Sequence, residues 1–305
     1  MIVSDPVYGI ITKGIGGAYS VRIDGRKTRV SCQIRGGLRL GNIVPEPGDR
    51  VMIEPSGDPD LPYVISEILP RKNNLVRPPV ANVDYLILTF SVTDPEPDLK
   101  LLDKLLIICA NLDITPLIIF TKEDLGREAA ARYYDVYSGC GYKVFISSKD
   151  SPVTAEDLRS ITGSGIAAFA GPSGVGKSTL CNRIIGREHM ETGNISRKLK
   201  RGRHTTRHVE LIDFGDGFIT DTPGFTSLSL LQLGIGYRDV PAGYPEIYKF
   251  AGKCKYDDCR HIKEEGCVVR DALSMGQISE ERYNRYREFS EELYNERNNY
   301  KRRKA

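Results

Sequence analysis

The chain has 305 residues, 40% of them hydrophobic and 27% charged, with a formal net charge of +3. That length allows two or three domains. No run of eighteen or more apolar residues occurs, which excludes a membrane-spanning helix, and Met1–Pro6 lacks the basic stretch and apolar core of a secretion signal, so a cytoplasmic protein is expected.

Residues 1 to about 70 carry short alternating runs, among them Tyr19–Ile23 and Arg50–Glu54. They are punctuated by Gly16-Gly17, Asp24-Gly25, Gly36-Gly37 and Pro47-Gly48-Asp49. Short strands at that spacing predict a small closed barrel, either a five-stranded oligonucleotide-binding type or another topology. Arg77-Pro78-Pro79 marks a boundary, after which strand and helix alternate. Tyr85–Phe90, Leu117–Phe120, Val144–Ile146 and Ile166–Ala170 read as buried strands. Leu99–Leu112 and Arg127–Ser138 read as helices, the first with one broad apolar face at helical spacing. This alternation predicts a parallel sheet covered on both faces. Two more strands are expected at Val209–Ile212 and Gly217–Thr220, and a charged helix over Ser279–Lys304 with a capped start at Ser279. The resulting division is residues 1–72, 73–230 and 231–305.

Positive charge is clustered. Arg22, Arg26, Lys27, Arg29, Arg35 and Arg39 form one set. Arg197, Lys198, Lys200, Arg201, Arg203 and Arg207 form a second, with no acid from Gly193 to His208, and Lys301–Lys304 a third. Each alone can be a solvated face; three together suit a polyanion such as RNA or DNA.

The most informative stretch is Gly171-Pro172-Ser173-Gly174-Val175-Gly176-Lys177-Ser178-Thr179, which fits G-x-x-x-x-G-K-[ST] between a strand and a helix. Its glycines free the backbone to aim N–H groups at phosphate. Lys177 carries charge to the β- and γ-phosphates, and Ser178 offers a hydroxyl to Mg²⁺. Asp221-Thr222-Pro223-Gly224, about 45 residues on and directly after a strand, matches D-x-x-G, with Asp221 toward Mg²⁺ and Gly224 toward the γ-phosphate. Thr121-Lys122-Glu123-Asp124 follows another strand and matches the guanine motif [NT]-K-x-D. A carboxylate at Asp124 accepts hydrogens from guanine N1 and N2, an arrangement adenine does not offer. Thr stands where Asn is commoner, which predicts a weaker tether at Thr121. Ser147-Ser148-Lys149 resembles the S-A-K element whose backbone touches the guanine oxygen. These motifs lie at the ends of parallel strands, where ligands bind in such sheets. Their order is circularly permuted, because the guanine motif and the S-A-K-like element precede the phosphate loop.

Switch I falls between the phosphate-loop helix and Val209, where Thr205 and Thr206 are both candidates to close on Mg²⁺. Phe225 occupies the position after D-x-x-G where many GTPases place Gln, so His204 is the candidate for positioning the attacking water. Cys254-x4-Cys259-x-His261-x5-Cys267 offers three thiolates and one imidazole, a closed tetrahedral set for structural zinc in a segment too polar to fold alone. Disulfide pairing is the alternative, disfavoured in a reducing compartment.

On the barrel, the permuted motifs and the Cys254, Cys259, His261 and Cys267 set, the chain resembles the ribosome small subunit-dependent GTPase A family (RsgA, also called YjeQ) over essentially its whole length. The resemblance implies a circularly permuted P-loop GTPase domain with an N-terminal OB-type barrel and a C-terminal zinc-binding α-helical domain. It implies GTP/GDP, Mg²⁺ and one Zn²⁺, hydrolysis stimulated by the small (30S) ribosomal subunit, and contact with 16S rRNA during late subunit maturation. A monomer is expected. The competing expectations are an RNA-binding assembly factor in which nucleotide only sets conformation, kept open by Phe225, and a phosphate-loop ATPase or kinase, opposed by Asp124.

Overall fold

The computed structural model describes residues 7–35, 44–58, 61–76, 79–186, 209–221 and 229–304, with side chains left out at Asp58, Leu61, Val76, Asp221 and residues 298–304. His204, Thr205, Thr206, Gly224, Phe225, Arg39 and the Arg197–Arg207 cluster therefore lie outside the described residues, as do the side chains of Asp221 and Lys301–Lys304.

Five strands close a barrel in the order β1-β2-β3-β5-β4. They are β1 (Val7–Ile15), β2 (Ala18–Ile23), β3 (Arg29–Ile34), β4 (Arg50–Asp58) and β5 (Leu61–Ile68). Alternation along each strand turns Ile11, Val21, Ile23, Cys32, Val51, Ile53 and Ile65 inward to one buried cluster. Burial pushes the Cys32 thiol up to about 12, which leaves it an inert apolar filler. β3 and β5 run parallel and the other described barrel pairs antiparallel, so the barrel has the five-stranded closure expected of an OB-type fold. A short hairpin follows, β6 (Asn74–Val76) with β7 (Pro79–Ala81).

The remaining strands are β8 (Tyr85–Ser91), β9 (Thr115–Thr121), β10 (Lys143–Ile146), β11 (Ile166–Ala170), β12 (Ile212–Phe214) and β13 (Gly217–Asp221). Their sheet order is β10-β9-β8-β11-β13-β12. β10 with β9 and β11 with β13 are parallel, whereas β12 is an antiparallel edge strand. β8, β9 and β11 are near-continuous apolar runs because both faces of such strands are covered.

Four helices accompany these strands: α1 (Leu99–Asn111), α2 (Arg127–Gly139), α3 (Ala155–Thr162) and α4 (Lys177–Ile185). Asp98 caps α1 by accepting from Leu101 N at 2.8 Å. Thr154 and Asp157 form a reciprocal capping box on α3, a helix the strand–helix reading passed over. The last segment holds α5 (Pro245–Tyr248), α6 (Val268–Ser274) and the long α7 (Glu280–Lys304). Ser279 starts α7, its carbonyl accepting from Tyr283 N at 2.9 Å.

One strand departs from expectation. The strand expected over Val209–Ile212 occupies Ile212–Phe214 instead. The reason is a competing partner: Leu211 N donates to Thr12 O at 2.8 Å, and Glu210 bridges Lys13 of β1. Those backbone groups bond to the barrel before the chain reaches the sheet.

The chain divides into two compact units. One holds Met1–Tyr85, Thr154–Ala170 and Lys177–Phe225, and the other Leu86–Val153, Gly171–Gly176 and Thr226–Ala305. The second unit has a polar centre. Arg282 of α7 and Asp103 of α1 are fully buried and paired, and Arg282 Nε donates to Glu246 Oε1 of α5 at 2.8 Å. Asp103 also accepts from Arg285 Nε at 2.5 Å and Tyr137 OH at 2.9 Å. Its charge partners and donors together offset the cost of burying that carboxylate.

Candidate nucleotide site and metal centre

The phosphate loop leaves β11 and opens α4, the strand–loop–helix context its motif requires. Gly171 sits at φ 143° with Gly174 at 83° and Gly176 at 90°. A Cβ at Gly171 would stand 2.0 Å from Thr89 O, so no other residue fits there. Val175 is buried while Ser173 and Gly174 are exposed, and Lys177 and Ser178 are half-buried at the start of α4. The first turn of α4 contains no acid, which leaves the positive end of its dipole unopposed for an anion.

The guanine motif begins at the C-terminal end of β9. Thr121 is buried, and its hydroxyl donates to Val175 O at 2.6 Å, with a longer approach of 3.3 Å to Phe90 O. Thr121 thus ties the [NT]-K-x-D segment to the backbone of the phosphate loop through one short hydrogen bond. Lys122 takes a left-handed φ of 60°, and its ammonium donates to Asp94 O. Glu123 and Asp124 lie in a single 3-10 turn, Glu123–Leu125. Asp124 Oδ1 is enclosed and has no hydrogen-bond partner among the described residues. A buried, unsatisfied carboxylate oxygen at this place is the acceptor that guanine N1–H and N2–H would complete.

The S-A-K-like turn packs against that motif. Ser147 O accepts from Glu123 N at 3.3 Å, and Ser147 N donates to Phe120 O at 2.8 Å. Ser147 Oγ accepts from Val153 N at 3.1 Å and Ser148 Oγ from Ser151 N at 3.0 Å, which shapes the turn, while Lys149 is exposed. The structure thus brings together Thr121–Asp124, Ser147–Ser148 and Gly171–Gly176. A guanine nucleotide fits this donor and acceptor set.

The metal donors also converge. One atom from each of Cys254, Cys259, His261 and Cys267 lies within 4.8 Å of the other three. Cys254 Sγ is 3.4 Å from His261 Nδ1 and 4.0 Å from Cys267 Sγ, and Cys267 Sγ is 3.5 Å from His261 Nδ1. Tetrahedral zinc with ordinary bond lengths places S···S about 3.8 Å and S···N about 3.6 Å apart. The set fits one structural zinc. Burial holds His261 below its usual range, in the neutral form a metal requires, while it pushes the Cys259 thiol up to about 12; a bound dication would instead draw that thiol to thiolate. Two tyrosines of α7 hold the loop from behind: Tyr283 OH donates to His261 O at 2.7 Å and Tyr286 OH to Arg260 O at 3.0 Å.

Family models agree with this arrangement. One described as RsgA GTPase matches residues 68–231, and one described as RsgA N-terminal domain matches residues 8–60. A protein of Ruminiclostridium cellulolyticum named small ribosomal subunit biogenesis GTPase RsgA is 42% identical over 280 residues, covering 91% of each chain. The chain belongs to the RsgA GTPase family. A Moorella thermoacetica relative of the same name is 40% identical over 286 residues, 93% of this chain and 97% of its own. Two solved structures share the fold with TM-scores of 0.78 and 30% identity over 95% of this chain: YloQ, described as a circularly permuted GTPase, and YjeQ from Thermotoga maritima, matched over 96% and 99% of their lengths. Membership of the RsgA GTPase family implies GTP or GDP and Mg²⁺.

Two features of this RsgA family member escaped the motif reading. Arg22 and Arg29 of the N-terminal basic set are paired internally with Asp213, and Arg35 with Glu54, so that set is less free for a polyanion than its spacing suggests. Among the described residues of that set, only Arg26 and Lys27 are exposed without an ion pair. Conversely, the segment around the zinc set carries lysines over aromatic rings. Lys249 and Lys253 Nζ lie 5.1 and 6.0 Å from the Phe250 ring centre, and Lys255 Nζ 5.3 Å from that of Tyr256. The interleaving Tyr248-Lys249-Phe250 and Lys253–Tyr256 was legible as a pattern, but its charge is too sparse to register as a run.

Proposed function

We propose that this chain binds GTP and Mg²⁺ at the phosphate loop and hydrolyses GTP as a factor in small-subunit biogenesis, with the subunit stimulating turnover. The observation that carries this reading is the Thr121 hydroxyl bonded to Val175 O at 2.6 Å, which couples the base-reading motif to the loop that holds the phosphates. In this reading Asp124 selects guanine, with Lys122 and Glu123 shaping its turn and the Ser147–Lys149 backbone facing the base. Gly171–Gly176 and Lys177 cradle the phosphates, Ser178 and Asp221 hold Mg²⁺, Thr179 supports the loop, and Gly224 meets the γ-phosphate. His204 positions water. The chain works as residues 1–72, 73–230 and 231–305, a barrel, a permuted GTPase domain and a zinc module, in the cytoplasm and as a monomer. The N-terminal family match over 8–60 falls within the first of these segments, and the GTPase match over 68–231 begins five residues before the second.

Contact with 16S rRNA is the partner chemistry we favour, through phosphates rather than base edges. The lysine–aromatic pairs at Phe250 and Tyr256 support it, since such pairs suit stacked, unpaired bases. No helix among the described residues is long and apolar enough to cross a membrane.

The test is GTP turnover titrated with purified small subunits. Marked stimulation, competed by GDP but not by ADP, is the expected result. Phe225 in place of a water-orienting Gln keeps one other reading in view, an RNA-binding assembly factor in which nucleotide only sets conformation. Turnover indifferent to subunits, with subunit affinity still dependent on nucleotide, would favour that second reading.

A further inference from the structure

Asp213 lies on the edge strand β12, whose hairpin partner β13 ends at Asp221. It takes two arginines from the barrel. Arg22 of β2 reaches Asp213 Oδ1 at 3.0 Å and Asp216 O at 2.9 Å, and its guanidinium lies 3.8 Å from the Phe218 ring centre. Arg29 of β3 reaches Asp213 Oδ2 at 2.8 Å. Between these arginines in sequence stand Arg26 and Lys27, exposed and without a described ion pair. A carboxylate that accepts from two guanidinium groups occupies them as a phosphate would.

We propose that Asp213 is an internal competitor for an RNA phosphate on the β2–β3 hairpin. RNA arriving at Arg26 and Lys27 takes Arg29 and then Arg22 from Asp213, so RNA occupancy and full seating of the β12–β13 hairpin exclude one another. The proposal rests on the RNA-binding reading above. Partial exposure makes the exchange accessible: the Arg29 side chain is 36% exposed and that of Asp213 39%, and exposed pairs are weak. Arg22, 16% exposed and stacked on Phe218, is the slower to leave. Because β13 runs into Asp221, loosening this hairpin reaches the strand that carries the D-x-x-G motif. By linkage, whatever seats the hairpin more firmly weakens RNA by the same factor.

The experiment compares the full chain with Asp213→Asn and Asp216→Asn for binding to purified small subunits across a salt series. Asp216→Asn removes the same charge from the same hairpin but frees no arginine side chain, since Arg22 reaches only the Asp216 backbone oxygen. Asp213→Asn is expected to tighten binding by roughly two- to thirtyfold, the worth of two partly exposed ion pairs. It should also steepen the salt dependence by roughly 1–2 in log–log slope, because its arginines then release solvent ions rather than a carboxylate. Asp216→Asn should do clearly less. In the unaltered chain, hydrogen exchange at Ile212–Phe214 should speed up when subunits bind, a readout that holds even where a variant folds poorly. Equal effects of the two substitutions, no tightening with Asp213→Asn, or unchanged exchange in the bound chain would overturn the proposal. Failure of the unaltered chain to bind subunits at all would instead overturn the RNA-binding reading beneath it.

Discussion

Asp124 should behave as a ligand-binding group and not as a structural one, and a single substitution separates the two. Its Oδ1 is enclosed without a partner in the unliganded chain. An unsatisfied buried acceptor costs roughly 1–3 kcal/mol. Because the residue as a whole is only half-buried, Asp124→Ala should recover the low end, stabilising the unliganded chain by about 1 kcal/mol or leaving it unchanged. The effect on nucleotide has the opposite sign. Two hydrogen bonds from guanine to a charged acceptor are worth roughly 1.5–3 kcal/mol each, so Asp124→Ala should lower GDP affinity by about 10²–10⁴-fold. Calorimetric titration with GDP, paired with denaturant unfolding of the unliganded protein, reads both quantities. A variant that binds GDP within about threefold of the original refutes the reasoning, as does one destabilised by several kcal/mol without ligand.

Three further outcomes are expected. Thr121→Val keeps the shape but removes the donor to Val175 O; it should weaken GDP and GTP equally, by about tenfold, and leave the preference for guanine over adenine nucleotides intact in competition binding. Arg282→Met strands the buried Glu246 and removes one partner from Asp103, and should cost about 3–5 kcal/mol in urea unfolding, with much of the loss regained in Arg282→Met/Glu246→Leu. Chelation, or Cys267→Ala, should take zinc from one per chain to none by metal analysis, make Cys254 and Cys259 reactive to alkylation, and raise exchange at His261, whose carbonyl Tyr283 holds.

What could be read from sequence was what nearby residues decide. The phosphate loop declares itself through Gly171, Gly174, Gly176 and Lys177 inside a nine-residue window. The zinc set does so through donors crowded between Cys254 and Cys267, and α1 through its apolar spacing. The failures share a different cause. Asp103 sits on the buried face of α1, and nothing near it foretells Arg282, 179 residues away. Arg22 and Arg29 read as free charge because their partner Asp213 lies 191 and 184 residues on. The displaced strand at Ile212 has the same origin, since Leu211 N finds Thr12 O across the chain. Thr121 shows a subtler limit. A residue type gives the number of donors, but only the structure shows that Val175 O is the partner its one donor meets.

The 179-residue gap between Asp103 and Arg282 also sets a timetable for the newborn polypeptide. At roughly 5–20 residues per second, translation leaves about 10–35 s in which the acid exists and its arginine does not. During that interval the carboxylate must stay in water, because enclosing it alone is too costly. Helix α1 can form early, but its inward face cannot close until the last stretch of the chain has emerged. The unit that contains α1 is thereby completed only when synthesis is nearly finished, so a chain cut short of Arg282 is expected to leave Asp103 unsealed.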